Sequence, residues 1–105
     1  MESATSGYTK RLQGGIRRQH GCESKHLESV PLEIQQDGKT IWKGVVELFR
    51  LSNGPARFCY AWAFAQRGDS YQNEVIVVFA DPAVNSPRKA VESYLASEKE
   101  TDQPF

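Results

Sequence analysis

The sequence predicts an α+β domain, namely a four-stranded antiparallel meander sheet with one C-terminal helix packed on one face (ββββα) and a disordered N-terminal arm. Two observations predict this fold. Four segments are rich in β-branched and aromatic residues and are separated by short turns that contain Gly or Pro. A final segment has apolar residues at helical spacing. The chain has 105 residues, which fits one domain.

The first 28 residues predict a flexible basic arm. They are rich in Gly, Ser, Thr and Gln and contain few large aliphatic residues, among them Ile16 and Leu27. Such a segment buries too little apolar surface to offset the entropy that is lost on ordering. In this segment, basic residues outnumber acidic ones. The basic residues are Lys10, Arg11, Arg17, Arg18 and Lys25. The predicted organisation is an arm over 1–28, a single domain over 29–98 and a frayed tail over 99–105.

The turns between the strands are the strongest local signals. Asp37-Gly38 predicts a two-residue hairpin turn, Asn53-Gly54-Pro55 ends the second strand, and Arg67-Gly68-Asp69-Ser70 predicts the next turn. The segments that these turns separate predict strands at 30–36, 40–51, 56–66 and 71–80.

The C-terminal helix is predicted to begin after Ser86. A serine at the N-cap accepts a hydrogen bond from the first turn, and Pro87 suits the first helical position because no backbone N–H is needed there. The helix is expected to continue to about residue 97 along one apolar stripe, which consists of Ala90, Val91, Tyr94 and Leu95.

The turn lengths predict the strand register and hence the two faces of the sheet. Closing the second and third strands around Asn53-Gly54 puts Phe49 opposite Phe58. One face is then large and aromatic, and it consists of Lys43, Val45, Glu47, Phe49, Phe58, Tyr60, Trp62, Phe64, Val75, Val77 and Phe79. The other face carries small residues such as Ala61 and Ala63, so we expect the single helix to cover that face.

This arrangement leaves the aromatic face without a cover. Large exposed apolar patches mark interaction surfaces on soluble proteins. We expect this face to form a homodimer, in which two sheets bury each other, or to capture a partner protein. The function predicted first is therefore that of a small non-enzymatic binding module, with the residues of this face as its interface or ligand-binding residues.

Nucleic-acid binding is the second alternative. The basic arm supplies cations, and Ser86, Arg88 and Lys89 at the helix start form a candidate anion-binding site. Against this interpretation, 13 Lys and Arg balance 13 Asp and Glu, so the chain has no net charge. Nucleic acid is therefore not the favoured partner.

A small-ligand site or an enzyme centred on Glu47 and Tyr60 is the third alternative. A carboxylate in apolar surroundings can serve as an acid, a base or a ligand anchor. A structural role competes with this interpretation and is favoured, because a hydrogen bond between Glu47 and Tyr60 would satisfy a buried carboxylate.

The sequence predicts neither a metal site nor a cofactor. His20, Cys22 and His26 form one short cluster, whereas structural zinc sites need four ligands in paired clusters. Two cysteines are too few for a disulfide scaffold. No apolar run is long enough to cross a bilayer and no signal-peptide core is present, so we expect a cytoplasmic location and no membrane contact.

Overall fold

In the part of the chain that the structure describes, two helices enclose a four-stranded sheet. The computed structural model describes residues 4–54, 56–68 and 70–101, so the ends of the predicted arm and tail (1–3 and 102–105) lie outside the described residues. The elements are α1 (Ala4–His20), β1 (Ser24–Gln36), β2 (Lys39–Leu51), β3 (Phe58–Arg67), β4 (Ser70–Phe79) and α2 (Pro87–Thr101). The strands pair in the order β1-β2-β3-β4, and all neighbours are antiparallel. The predicted sheet and C-terminal helix are thus confirmed.

Helix α1 lies where the sequence predicts a flexible arm, and this difference is a correction to that prediction. Tyr8, Leu12 and Ile16 recur every four residues, and this spacing places them on one side of a helix. Leu12 and Ile16 are fully buried against the sheet, and Tyr8 is half-buried. The burial of this stripe offsets the ordering entropy of a segment that is otherwise polar.

The register of the first hairpin departs from the prediction after the second residue pair from the turn. The turn at Asp37-Gly38 is confirmed, and both residues have the positive φ (54° and 78°) that a type I′ turn requires. Ile41 is then an extra residue in β2, so that Ile34 pairs with Trp42. A shift of one residue moves every later side chain of a strand to the other face relative to the prediction.

The connection between β2 and β3 shifts the second pairing as well. Phe49 pairs with Cys59, one residue further along than predicted, because the connection runs over 52–57. A backbone hydrogen bond joins this connection to the segment between α1 and β1. Ser52 N–H, in the connection, donates to the carbonyl of Glu23, in that segment, at 3.0 Å. A longer loop that is anchored in this way replaces the predicted two-residue turn.

These shifts decide which helix covers which side of the sheet. Helix α2 lies on the aromatic side, where Trp62 contacts Trp42 and Tyr94 edge-on at 5.6 Å between ring centroids. Helix α1 lies on the side of small residues, above Ala61 and Ala63. The structure therefore corrects the prediction that the C-terminal helix covers the small-residue face and leaves the aromatic face open. These two surfaces of the sheet are called the α1 side and the α2 side below.

The start of α2 agrees with the prediction. Pro87 is its first residue, and Ser86 Oγ accepts a hydrogen bond from Lys89 N–H at 3.2 Å. The helix continues to Thr101, so it takes in the first part of the predicted frayed tail.

Gly14 and Gly15 provide a matched test of how α1 packs. A methyl group on Gly15 would lie 2.6 Å from Cγ1 of Val75, whereas nothing lies within 4 Å of the same position on Gly14. Gly15→Ala should destabilise the fold by about 1–3 kcal/mol through overpacking. Gly14→Ala should stabilise it by about 0.5–1 kcal/mol, because alanine favours a helix. Urea denaturation measures both changes, and two variants of equal stability would contradict this position of α1.

Candidate functional site

The structure divides the predicted aromatic interface into three groups. Tyr60 and Trp62 are buried on the α2 side. The residues that lie beneath or beside α1 are Glu47, Phe49, Val75, Val77 and Phe79. The residues that stay exposed are Lys43, Val45, Phe58 and Phe64. The homodimer stays a prediction, but the open aromatic face on which it was based is not one surface of the structure.

Glu47 is fully buried on β2, and its partners are on β1. His26 Nε2 lies 2.7 Å from Glu47 Oε1, and the Ser29 hydroxyl donates to the same oxygen. Leu27 is an extra residue in β1, and this bulge places His26 and Ser29 on the side of Glu47 although they are three residues apart. Tyr60, the predicted partner of Glu47, lies on the other side of the sheet.

The cluster has the residue types of a serine–histidine–acid triad but not its geometry. In a triad, the serine and the carboxylate contact different nitrogens of the imidazole ring. Here Ser29 Oγ lies 3.3 Å from the same Nε2 atom that contacts Glu47. Ser29 also donates its proton directly to the carboxylate, so it is not activated as a nucleophile. The arrangement satisfies a buried carboxylate, and it supports a structural role.

Tyr60 belongs to a different surface from Glu47. It lines a groove of about 550 Å³ beside the connection between β4 and α2, together with Phe58 and Leu48. Burial raises the pKa of the Tyr60 hydroxyl above its ordinary value. Glu47 and Tyr60 therefore do not share a ligand site of the kind that the sequence suggested.

Tyr8 connects helix α1 to the sheet. Its hydroxyl oxygen accepts a hydrogen bond from Ala63 N–H at 2.8 Å. Burial raises the pKa of the Tyr8 hydroxyl above its ordinary value, and the negative charge of Glu47 acts in the same direction. The hydroxyl therefore stays protonated at neutral pH and fixes the N-terminal half of α1 on β3.

A bulge in β3 explains why Ala63 N–H is available to Tyr8. Residues 44–46 of β2 face residues 62–65 of β3, so β3 has one residue more than its partner over this stretch. Ala63 and Phe64 then both lie on the α1 side, where Ala63 bonds to Tyr8 and the Phe64 ring lies 5.7 Å from the Tyr8 ring.

Two exposed aromatic residues lie next to this bulge. Phe64 is 51% exposed, and the guanidinium carbon of Arg11 lies 4.5 Å from the centre of its ring. Tyr71 on β4 is 79% exposed. It is the diagonal neighbour of Phe64 across the strands, because Phe64 pairs with Asn73. Phe64 and Tyr71 are called the aromatic patch below.

The outward side of α1 is basic. The helix contains no Asp or Glu. Its exposed cations are Lys10, Arg11, Arg17 and Arg18. The pair Lys10-Arg11 and the pair Arg17-Arg18 are seven residues apart, which is about two helical turns. All four cations therefore lie on one side of the helix. This α1 basic surface meets the aromatic patch at Arg11. The spacing of Tyr8, Leu12 and Ile16 was the signal that predicts the helix and hence this surface.

At the start of α2, the side chains of Ser86 and Arg88 have partners at the helix start or within the helix. Ser86 caps the helix, and Arg88 Nε lies 3.0 Å from Glu92 Oε2, one turn further along. Since α1 and α2 lie on opposite sides of the sheet, Arg88 and Lys89 do not join the α1 basic surface. The structure thus separates the two basic groups that the sequence-based alternative combined.

Both cysteines are buried, and neither belongs to a cluster of metal-ligating side chains among the described residues. Cys22 and Cys59 are buried free thiols. Burial raises the pKa of the Cys59 thiol to about 12, with a further contribution from Cys22, so this thiol is unreactive at neutral pH. No group of three or more His, Cys, Asp or Glu among the described residues is close enough to hold a metal ion.

No protein family, curated protein or solved structure was found to match this chain. Of the helices described, neither is long and apolar enough to cross a membrane.

Substitution of Glu47 tests its structural role. Glu47→Ala should lower the free energy of unfolding by about 2–3 kcal/mol, because it removes the common acceptor of His26 and Ser29 and leaves a cavity. Ser29→Ala should lower the free energy of unfolding by less than about 1 kcal/mol, because Ser29 is exposed and the contact between Glu47 and His26 remains. Urea denaturation measures both variants. An unchanged stability of Glu47→Ala would show that Glu47 is not structural.

Proposed function

We propose that this protein is a non-enzymatic binding module that binds nucleic acid through the basic side of helix α1. The observation that carries the proposal is the segregation of charge on this helix. Four exposed cations project from one side, and the helix itself contains no acidic residue, although Glu23 just beyond its end lies 3.7 Å from Arg17. A surface of this kind attracts the phosphate backbone of a nucleic acid and releases its counterions on binding.

The zero net charge of the chain does not argue against this function, because the charges are unevenly distributed. Helix α2 balances three basic residues with three glutamates, whereas α1 has basic residues alone. Phosphates respond to charges within a Debye length, roughly 8–10 Å, rather than to the sum over the whole chain. The local field at α1 is therefore the relevant quantity.

The geometry of α1 also suits an extended polyanion. The two pairs of cations lie about 10 Å apart along the helix axis, which matches about three nucleotides along one strand of a duplex. Gly14 lies between these pairs and Gly7 lies about one turn before the first pair, both on the same side of the helix, and nothing lies within 4 Å of the Cβ position of either. A phosphate can therefore approach the helix backbone between the cations.

Two double substitutions with the same loss of charge test the proposal. Arg17→Gln with Arg18→Gln removes two cations from α1, and Arg88→Gln with Lys89→Gln removes two from α2. Each pair contains one arginine that forms an exposed ion pair, so the losses are comparable. Binding of a fluorescein-labelled oligonucleotide is measured by anisotropy over a series of NaCl concentrations. The α1 variant should bind more weakly, with a salt slope that is smaller by about two, and the α2 variant should bind as the unmodified chain does.

Circular dichroism and urea denaturation serve as the controls for folding of both variants. Absence of oligonucleotide binding at low salt would contradict the proposal. An equal loss of affinity in the two double variants would contradict it as well, because binding would then depend on overall charge and not on α1.

A further inference from the structure

We propose that the nucleic acid bound by this protein is single-stranded and that Phe64 and Tyr71 stack against its bases. This inference rests on the proposed function, since it uses the α1 basic surface for the phosphates. It adds a second contact of different chemistry, the aromatic patch, which lies next to that surface.

The exposure of Phe64 is built into the sheet. The bulge in β3 turns Phe64 to the same side as Ala63, whereas strict alternation would turn it to the other side of the sheet. Half of its surface stays exposed although it lies on the side that α1 covers. Tyr71, as its diagonal neighbour, is within reach of the same ligand. Phe64 and Tyr71 thus offer two exposed rings on neighbouring strands, on which bases of one ligand can stack.

The Phe64 ring is also held in position before any ligand binds. The Tyr8 ring lies 5.7 Å from it, and Tyr8 is itself fixed by the hydrogen bond from Ala63. The guanidinium of Arg11 lies 4.5 Å from the ring centre. Because Arg11 lies over part of the Phe64 ring, a base would stack on the part of the ring that stays exposed, with Arg11 available to its phosphate. The strand would then continue along α1 toward Arg17 and Arg18.

A single strand is the form of nucleic acid that fits this pair of contacts. The bases of a duplex are stacked on one another, so their faces are not available to a protein side chain. The bases of a single strand are free to turn outward and stack on aromatic rings, with little dependence on sequence. A duplex would use the cations of α1 but would leave Phe64 and Tyr71 without a partner.

The experiment compares a 15-nucleotide single strand, the corresponding duplex and heparin, which has charge but no bases. Anisotropy gives the affinities for the two oligonucleotides, and elution from a heparin column gives the response to charge alone. Phe64→Ala and Tyr71→Ala should each weaken single-strand binding roughly 5- to 100-fold, with little change in heparin elution. Phe64→Tyr keeps the ring and should restore most of the affinity. Phe58→Ala is the matched control, because Phe58 is partly exposed on the α2 side.

Tyr71 keeps the experiment conclusive if Phe64→Ala folds poorly, since a side chain that is 79% exposed contributes little to the core. The stacking inference would be overturned if Phe64→Ala and Tyr71→Ala bound the single strand with the same affinity as the unmodified chain. A parallel loss of single-strand binding and heparin retention would overturn it too. In both cases the proposed function stands if Arg17→Gln with Arg18→Gln still weakens binding. Failure of the unmodified chain to bind any oligonucleotide would overturn both.

Discussion

Helix α1 lies close to the sheet only because the surfaces in contact carry small side chains. Gly15 contacts Val75 at a distance that leaves no room for a methyl group, and Ala61 and Ala63 form the sheet surface below the helix. This close approach buries Leu12 and Ile16 completely and so supplies the apolar burial that keeps a polar segment ordered. Without it, one side of the sheet would be open and the segment would have no reason to be helical.

The docking of α1 also determines where its charges go. Because one side of the helix faces the sheet, Lys10, Arg11, Arg17 and Arg18 are confined to the other side. The same helix therefore completes the core and presents the proposed binding surface. The bulge in β3 links the two roles, since it releases Ala63 N–H to anchor Tyr8 and turns Phe64 toward Arg11.

The sequence predicts the parts of the fold that depend on local signals. The four strands, the Asp37-Gly38 turn and the Ser86 cap are each encoded within a few residues. The register was not predictable in this way, because the bulges at Leu27 and Ile41 have no turn-like local signal in the sequence and each shifts the alternation by one residue. Phe64 and the cations of the first 28 residues were named from the sequence, but their proximity was not predicted. Turn lengths alone put Phe64 in a continuous aromatic face, and the segment that forms α1 was predicted to be a flexible arm.

Native-state amide hydrogen exchange of α1 tests whether this helix is a docked part of the fold. We expect the amides from Leu12 to Ile16 to open with a free energy close to that of the amides of β3, because both lie in one core. Exchange in α1 at the rate of an unstructured peptide, alongside a protected sheet, would show that the helix is not docked.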